Sequence, residues 1–361
     1  MPPLRVEVPD SRPALTEFIE FYDQVYAYRT ARWPAPVRFQ LSILSGHSPF
    51  AVDRRLRPFV VRDGPRIVAR VLAVVDVRYT AHWQERLGHL CLFEALPDAR
   101  EAVRLLMDAA CAWLEAQGLR AARAGSGLLE FPFVIDAYEP LPPRILRYNP
   151  PYYHAVLKDA GFVSEQSYVD YKIAVNPTLV SGWAGALQDA RRVGYEIVPL
   201  RQVPPERRVA EFTATFNDTF QAHWGWTPYT EPEVAALLAG IGRVGGLDTS
   251  VLAYRHGQPV GMLSLTPAHT AGVVLKAGRT LHESEKLNVL AIGVCEAARG
   301  RGVNLAMASY GFLELIRRGA RYLSYTLVLD DNWPSRRTAE KLGASVCANY
   351  VVYRRDFRTG A

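Results

Sequence analysis

Residues 299–304 read Arg-Gly-Arg-Gly-Val-Asn, between a strand-like apolar run and a helix-like one. Such a segment can build an anion site from backbone alone. The first amides of a helix lack intrahelical partners and carry the positive end of its dipole. Gly300 and Gly302 would let the chain approach a phosphate oxygen with no Cβ in the way. Arg299 and Arg301 add charged, forked donors for the same anion, and Val303 and Asn304 supply the opening helical amides. The other reading of this spacing is a basic, exposed helix entry with no ligand.

The elements around the loop must aim it. A strand at 287–294 runs into it, and a helix at 303–318 leaves it, with Leu305, Ser309, Phe312, Leu313 and Ile316 at helical spacing. Gly319 is placed to end that helix. A strand at 322–329 follows, then Asp331-Asn332 opens a short helix ending at Leu342-Gly343-Ala344, and a strand at 349–354 comes last. About two hundred residues earlier the same order appears: a strand at 89–93, a helix at 99–117 with Gly118 after it, and an Asn149-to-Gly161 interval matching Asn332-to-Gly343. The reading is a divergent internal duplication. The interval 176–192 looks weak, so the boundary is expected near residue 185, giving domains 1–185 and 186–361.

The pattern R-x-x-G-x-G/A between a strand and a long helix resembles the pyrophosphate loop of the GNAT acetyltransferases. Arg299 and Gly302 hold its first and fourth positions; Asn304 departs from the final Gly/Ala and would have to point away from the phosphates. The wider match is to tandem (duplicated) GNAT proteins. It is carried by the segment 147–153 through Gly161-Phe162, by Phe216-Asn217-Asp218, by His223-Trp224-Gly225-Trp226-Thr227-Pro228 and by the Asp330-Asp331-Asn332 turn. The resemblance implies an α/β fold with a mixed sheet, built as two tandem GNAT-like domains. It implies acetyl-CoA or another acyl-CoA as donor, and direct acyl transfer to a primary amine or amino-acid-like acceptor. It also implies that the strand before the loop diverges from its neighbour, so that the pantetheine arm pairs with Ile292, Gly293 and Val294, an amide of Ile292 or Val294 lying near the thioester carbonyl. Gly293 there suits a bulge or a close approach of another backbone. Asn332, with Ser335, would open the second helix on the donor side; Asn332 is equally a good N-cap. The tyrosine that many of these enzymes carry seven residues beyond that asparagine, as general acid, is Ala339 here.

The first half reads Pro97-Asp98-Ala99-Arg100-Glu101 at the loop position, with no glycine and two carboxylates that would repel a pyrophosphate. It is expected to be degenerate, packing on the active half and shaping the acceptor groove; Tyr148, Tyr152 and Tyr153 line that groove or fill a core. An ammonium acceptor must lose a proton. Glu285 is the first candidate base, with His282, Glu283, Asp330 and Asp331 as others, while Tyr325 and Ser324 face either cleft or core. Asn217, Trp224 and Trp226 are candidates for the acceptor side, or form a hydrophobic hinge. Cys295 reads as a core thiol.

Composition limits the alternatives. Of the 361 residues 49% are apolar and 22% charged, as in a globular protein, and no run approaches the roughly 20 apolar residues of a membrane span. No apolar signal-peptide core opens the chain, so a cytoplasmic location is expected. Four scattered cysteines and eight histidines offer no metal-ligand spacing, so no metal is expected. The net charge of +6 comes from arginine without a basic block, which suits a polyanionic small molecule or reflects composition alone; nucleic-acid binding is not expected. Two other functions fit the same loop: a catalytically silent acyl-CoA-binding or scaffold protein, and a transferase whose donor rides on a carrier protein or an aminoacyl-tRNA.

Overall fold

In a computed structural model describing residues 3–357, one succession of elements runs twice. The first pass is β1 (Arg5–Glu7), α1 (Arg12–Val25), β2 (Ala31–Arg32), α2 (Val37–Leu44), β3 (Arg54–Asp63), β4 (Arg66–Asp76), α3 (Val77–Trp83), β5 (Leu87–Ala95), α4 (Arg100–Ala116), β6 (Ala121–Ala124), β7 (Phe133–Val134), α5 (Tyr153–Asp159) and β8 (Val163–Ala174). After α6 (Pro177–Arg192) the second pass is β9 (Tyr195–Pro199), α7 (Pro205–Phe220), α8 (Glu231–Gly242), α9 (Gly246–Thr249), β10 (Val251–Arg255), β11 (Gln258–Thr266), β12 (Val274–Leu275), β13 (Val289–Val294), α10 (Val303–Arg317), β14 (Tyr322–Leu329), α11 (Trp333–Lys341) and β15 (Ser345–Asp356).

The apolar spacing explains the two long helices. On α4 the stripe Val103, Leu106, Met107, Ala110 and Leu114 is fully buried against the first-half strands. On α10 Phe312 is fully buried, whereas Leu305, Leu313 and Ile316 only flank the second core. Both helices end before a glycine with positive φ, +84° at Gly118 and +90° at Gly319.

The sheets join the halves in a way the duplication alone does not suggest. The large sheet runs β1-β3-β4-β5-β6-β15-β8-β14, so the last strand of each half lies among the strands of the other. β15 pairs with β6 and β8, and β8 pairs in turn with β14. A separate four-stranded sheet, β13-β11-β10-β9, completes the second half. β8 is thus a central strand. Its Val169, Tyr171 and Ile173 face the second core, and Tyr168 and Asp170 face the opposite side.

Two local expectations need correcting. The interval 176–192 is a regular helix, α6, with Asn176 Oδ1 accepting from the Leu179 amide at 3.0 Å and proline in its first turn. Residue 185 therefore lies inside a helix whose Trp183 ring packs 5.5 Å from Phe312 in the second core. Nor does Asn149 open α5, which begins behind Tyr152; it is fully buried and clamps Val134 through the amide (2.8 Å) and carbonyl (3.2 Å). The similar Asn-to-Gly intervals hold asparagines with different jobs.

Candidate functional site

β13 and β14 flank α10 yet belong to different sheets, so a wedge opens between them. At its closed end Asn288 bridges both strands, donating to the Ser324 carbonyl at 2.8 Å and accepting from the Ser324 amide at 2.9 Å. Further along, the Leu290 amide reaches only the Thr326 hydroxyl, at 3.2 Å. The β13 groups facing the wedge follow from its ladder with β11. Cys295 donates to Val260 at 2.9 Å, continuing the register in which Val294 lies opposite Gly261 and Ile292 opposite Leu263. Hydrogen-bonded and non-bonded pairs alternate along an antiparallel ladder. Ile292 and Val294 therefore turn their amides and carbonyls away from β11, into the wedge. Among the described residues no side chain caps either amide, and Arg299 Nε donates to the Val294 carbonyl at 3.0 Å.

Gly293 between them makes no bulge, since the β11–β13 register is unbroken. A Cβ there would lie 2.6 Å from Thr219 Cβ and 2.9 Å from Phe220 Cε2, so the glycine lets α7 lie directly on β13. The loop beyond turns through Gly300 (φ +73°) and Gly302 (φ +79°), where an added Cβ would meet nothing within 4 Å. Gly302 caps α10 without a side-chain bond, and the first intrahelical donor is Ala306. The amides of residues 302–305 are thus helix-start donors. Arg301 is exposed above them. Asn304 leans the other way, donating to Thr338 Oγ1 on α11 at 3.3 Å.

The corresponding strand of the first half is closed. β5 pairs in parallel with β6 from Leu87 to Leu90, leaving its last residues free to splay. Side chains fill that space. The Leu92 amide donates to Glu130 Oε2 at 2.5 Å, and Arg147 Nη2 donates to the Phe93 carbonyl at 2.6 Å. Tyr153 Oη accepts from the Ala95 amide at 2.8 Å and Tyr152 Oη donates to its carbonyl at 2.7 Å. Tyr148 and Tyr153 are core residues, and Tyr152 is half-buried.

The candidate proton-transfer groups scatter. Glu285 is buried and fully engaged: Arg279 grips both its oxygens (2.6 and 2.5 Å), and the His282 and Leu141 amides donate to it at 2.9 and 3.2 Å. Burial opposes its charge, but the Arg279 guanidinium and these amides outweigh it and hold the carboxyl below the usual range. That corrects the expectation of a base: Glu285 ties the second half to Leu141 of the first and binds protons poorly. Tyr325 faces the second core rather than the wedge, with its hydroxyl 3.1 Å from Ser335 Oγ. Asp330 pairs with Arg336 at 2.6 Å. Asn332 caps α11, its Oδ1 accepting from the Ser335 amide at 3.2 Å. Ala339 is fully buried. Burial, with Asp218 beside it, pushes the Cys295 thiol up to about 12.

On the α7 side, Asn217 spends both polar groups on the Tyr229 backbone (2.8 and 2.9 Å), which fixes the α7–α8 connection. Trp226 packs in an aromatic cluster with Phe216 and Phe220, ring centres 4.8 and 4.9 Å away. Trp224 lies 6.3 Å from the Tyr168 ring, under the Arg123 guanidinium at 4.3 Å. His223 abuts Phe220 at 5.3 Å; burial lowers its pKa, against the pull of the Trp224 carbonyl and Asp331.

Sequence reasoning missed Asp170, which comes from β8. It is 2% exposed, lies opposite a bulge in β14, and accepts from the Leu327 amide at 3.2 Å and Ser324 Oγ at 3.4 Å. Desolvation is the largest influence on it and pushes the carboxyl up to about 7, against the hydrogen bonds it accepts. The available signal was weak, an aspartate between Tyr168-Val169 and Tyr171 in a strand with one polar face. One concavity, about 400 Å³ beside His282, Glu283 and Arg321, lies at the other end of β14 from the loop. An extended ligand arm would need a strand edge rather than that pit.

No protein-family model matches the chain. Protein YghO of Escherichia coli (strain K12) is 21% identical over 379 residues, covering 95% of this chain and 93% of that protein. Among solved structures, a GCN5-related glucosamine N-acetyltransferase region of a fungal multi-domain GH3 β-N-acetylglucosaminidase superposes with TM-score 0.61 at 16% identity. The match covers 98% of this chain and 38% of that one. A tandem GNAT protein from the clavulanic acid biosynthesis pathway gives 0.61 at 13% identity, over 99% of this chain and 100% of that one. A GCN5-related N-acetyltransferase from Sphaerobacter thermophilus gives 0.58 at 13%, over 99% and 97%. The chain has the tandem GNAT fold that the resemblance implied.

Proposed function

We propose that this protein transfers an acyl group from an acyl-CoA thioester to a primary amine, and that it binds the donor once, in its second half. The observation that carries this reading is the contrast between the two wedges. Ile292 and Val294 present free amides to theirs, whereas Glu130, Arg147, Tyr152 and Tyr153 occupy the other.

In this reading the pantetheine arm adds to β13 as an extra strand would. The pyrophosphate lies at the amides of residues 302–305, with Arg299 and Arg301 supplying charge. An amide of Ile292 or Val294 polarises the thioester carbonyl and stabilises its oxyanion. Asn332 and Ser335 shape the donor side indirectly, through the start of α11. The amine comes from the α7 side, past Thr219, Phe220, His223 and Trp224, and displaces the thiolate directly. The buried Ala339 favours a second reading, a protein that binds acyl-CoA without turning it over, because no tyrosine stands there to protonate the thiolate. Thiol release from acetyl-CoA across a panel of amines separates the two.

Calorimetric titration of CoA tests the donor site. Arg301→Glu combined with Gly302→Glu places two carboxylates where the phosphates should lie, and binding is expected to vanish. Affinity equal to that of the wild type would remove the loop from the account.

A further inference from the structure

We propose that the first half contributes to the chemistry of the second: Asp170, on the exchanged strand β8, receives the proton of the acceptor amine through the hydroxyls of Thr326 and Ser324. The inference rests on the acyl-transfer reading.

A chain of hydrogen bonds runs from the wedge to the carboxylate in one direction. The Leu290 amide donates to Thr326 Oγ1 at 3.2 Å. Thr326 and Ser324 hydroxyls lie 3.3 Å apart, and Ser324 Oγ donates to Asp170 Oδ1 at 3.4 Å. Ser324 spends its single proton on Asp170, so Thr326 is the donor between the two hydroxyls; Thr326 uses one lone pair on Leu290, and the other remains for an ammonium in the wedge. Asn288 holds the Ser324 backbone on both sides, which fixes the middle of the chain. The bulge of β14 after Tyr325 sets Thr326 and the Leu327 amide against Asp170.

The groups facing Asp170 make it an acceptor rather than half of an ion pair. β15 contributes Cys347, whose Sγ donates to Oδ2 at 3.8 Å, and Tyr350. β14 contributes Ser324, Thr326 and the Leu327 amide, and β8 itself carries Tyr168 and Lys172 on either side. Asp136 lies beyond Cys347. Among the described residues no arginine, lysine or histidine forms a salt bridge with Asp170, although 25 such pairs occur elsewhere. A buried carboxyl without a cation binds a proton near neutrality, where a base for an amine is useful.

The ammonium gives one proton to Thr326 Oγ1, Thr326 passes its own to Ser324, and Ser324 passes its own to Asp170. The neutral nitrogen attacks the thioester carbonyl carbon and forms the C–N bond. As the C–S bond breaks, the thiolate takes the second proton from the nitrogen of the adduct, which leaves an amide and a free thiol. Asp170 then returns its proton to solvent. Asp170 touches neither reactant; it sets the protonation state of the hydroxyl that does.

The test uses the full chain, acetyl-CoA and a panel of small primary amines, with thiol release followed from pH 5.5 to 9, a range spanning about 1.5 pH units or more on each side of the expected limb. The wild-type rate should rise with pH through a limb near neutrality. Asp170→Asn should bind CoA as the wild type does, lose that limb, and turn over about 100-fold more slowly at alkaline pH. Ser324→Ala keeps the carboxylate but cuts the chain; it should slow turnover likewise, and it carries the test if Asp170→Asn does not fold. Variants within about threefold of the wild type, with the limb retained, would overturn the proposal while leaving the transfer reading intact. A wild type that binds acetyl-CoA but releases no thiol with any amine would overturn both, and failure to bind CoA would remove the donor site first.

Discussion

Burial raises the Asp170 carboxyl to about 7 because the strand carrying it lies between two others and, among the described residues, no salt bridge reaches it. In the unfolded chain the same group titrates near 3.9. The folded state therefore binds the extra proton, and this residue's share of stability falls as pH rises from about 4 to 7. Asp170→Asn should accordingly be more stable than the wild type at pH 8, by on the order of 2–4 kcal/mol, and unfold at a higher temperature, the gap closing as pH falls toward 4. Equal melting temperatures across that range would contradict the assignment. From sequence, Tyr168-Val169-Asp170-Tyr171 reads as a strand with one polar face. What makes the aspartate unusual is its neighbours on β14 and β15, more than 150 residues away. Glu285 misled for the converse reason, since its place near the wedge was legible but Arg279 and the Leu141 amide were not.

At the scale of elements, local periodicity and caps carried most of the reading. β14 spans the expected 322–329, and α10 ends one residue before the expected 318. α6 escaped notice although Asn176-Pro177-Thr178 is a helix-start signal; its weak apolar stripe resembled a linker. Gly293 was legible as a bulge or an approach of another backbone, whereas the structure shows neither a bulge nor a second backbone there but the Thr219 and Phe220 side chains of α7. Gly293→Val should push Thr219 and Phe220 away from β13 and lower unfolding stability by about 1–3 kcal/mol in urea titration. A neutral effect would mean that α7 is free to shift against β13.

At the scale of the molecule, the duplication was visible in the repeated order of elements, and the strand exchange was not. A repeat fixes which elements exist, but register and partners of β8 and β15 depend on contacts between the two copies. Exchange makes the halves interdependent, and charge reinforces it. Glu233 of α8 lies between Arg54 of β3 and Arg78 of α3, each at 2.6 Å, and these guanidiniums with the Thr230 amide lower its carboxyl to about 2 despite burial. The two copies differ in one respect on which the proposed function rests: the wedge beside β13 is open and the wedge beside β5 is filled.

That asymmetry is the centre of the account, and residue-resolved hydrogen exchange with and without saturating CoA measures it directly. New protection is expected at Ile292, Val294 and the amides of residues 302–305, with Leu92 through Ala95 unchanged. Protection at the β5 amides, or none at Ile292 and Val294 while CoA is bound, would contradict it.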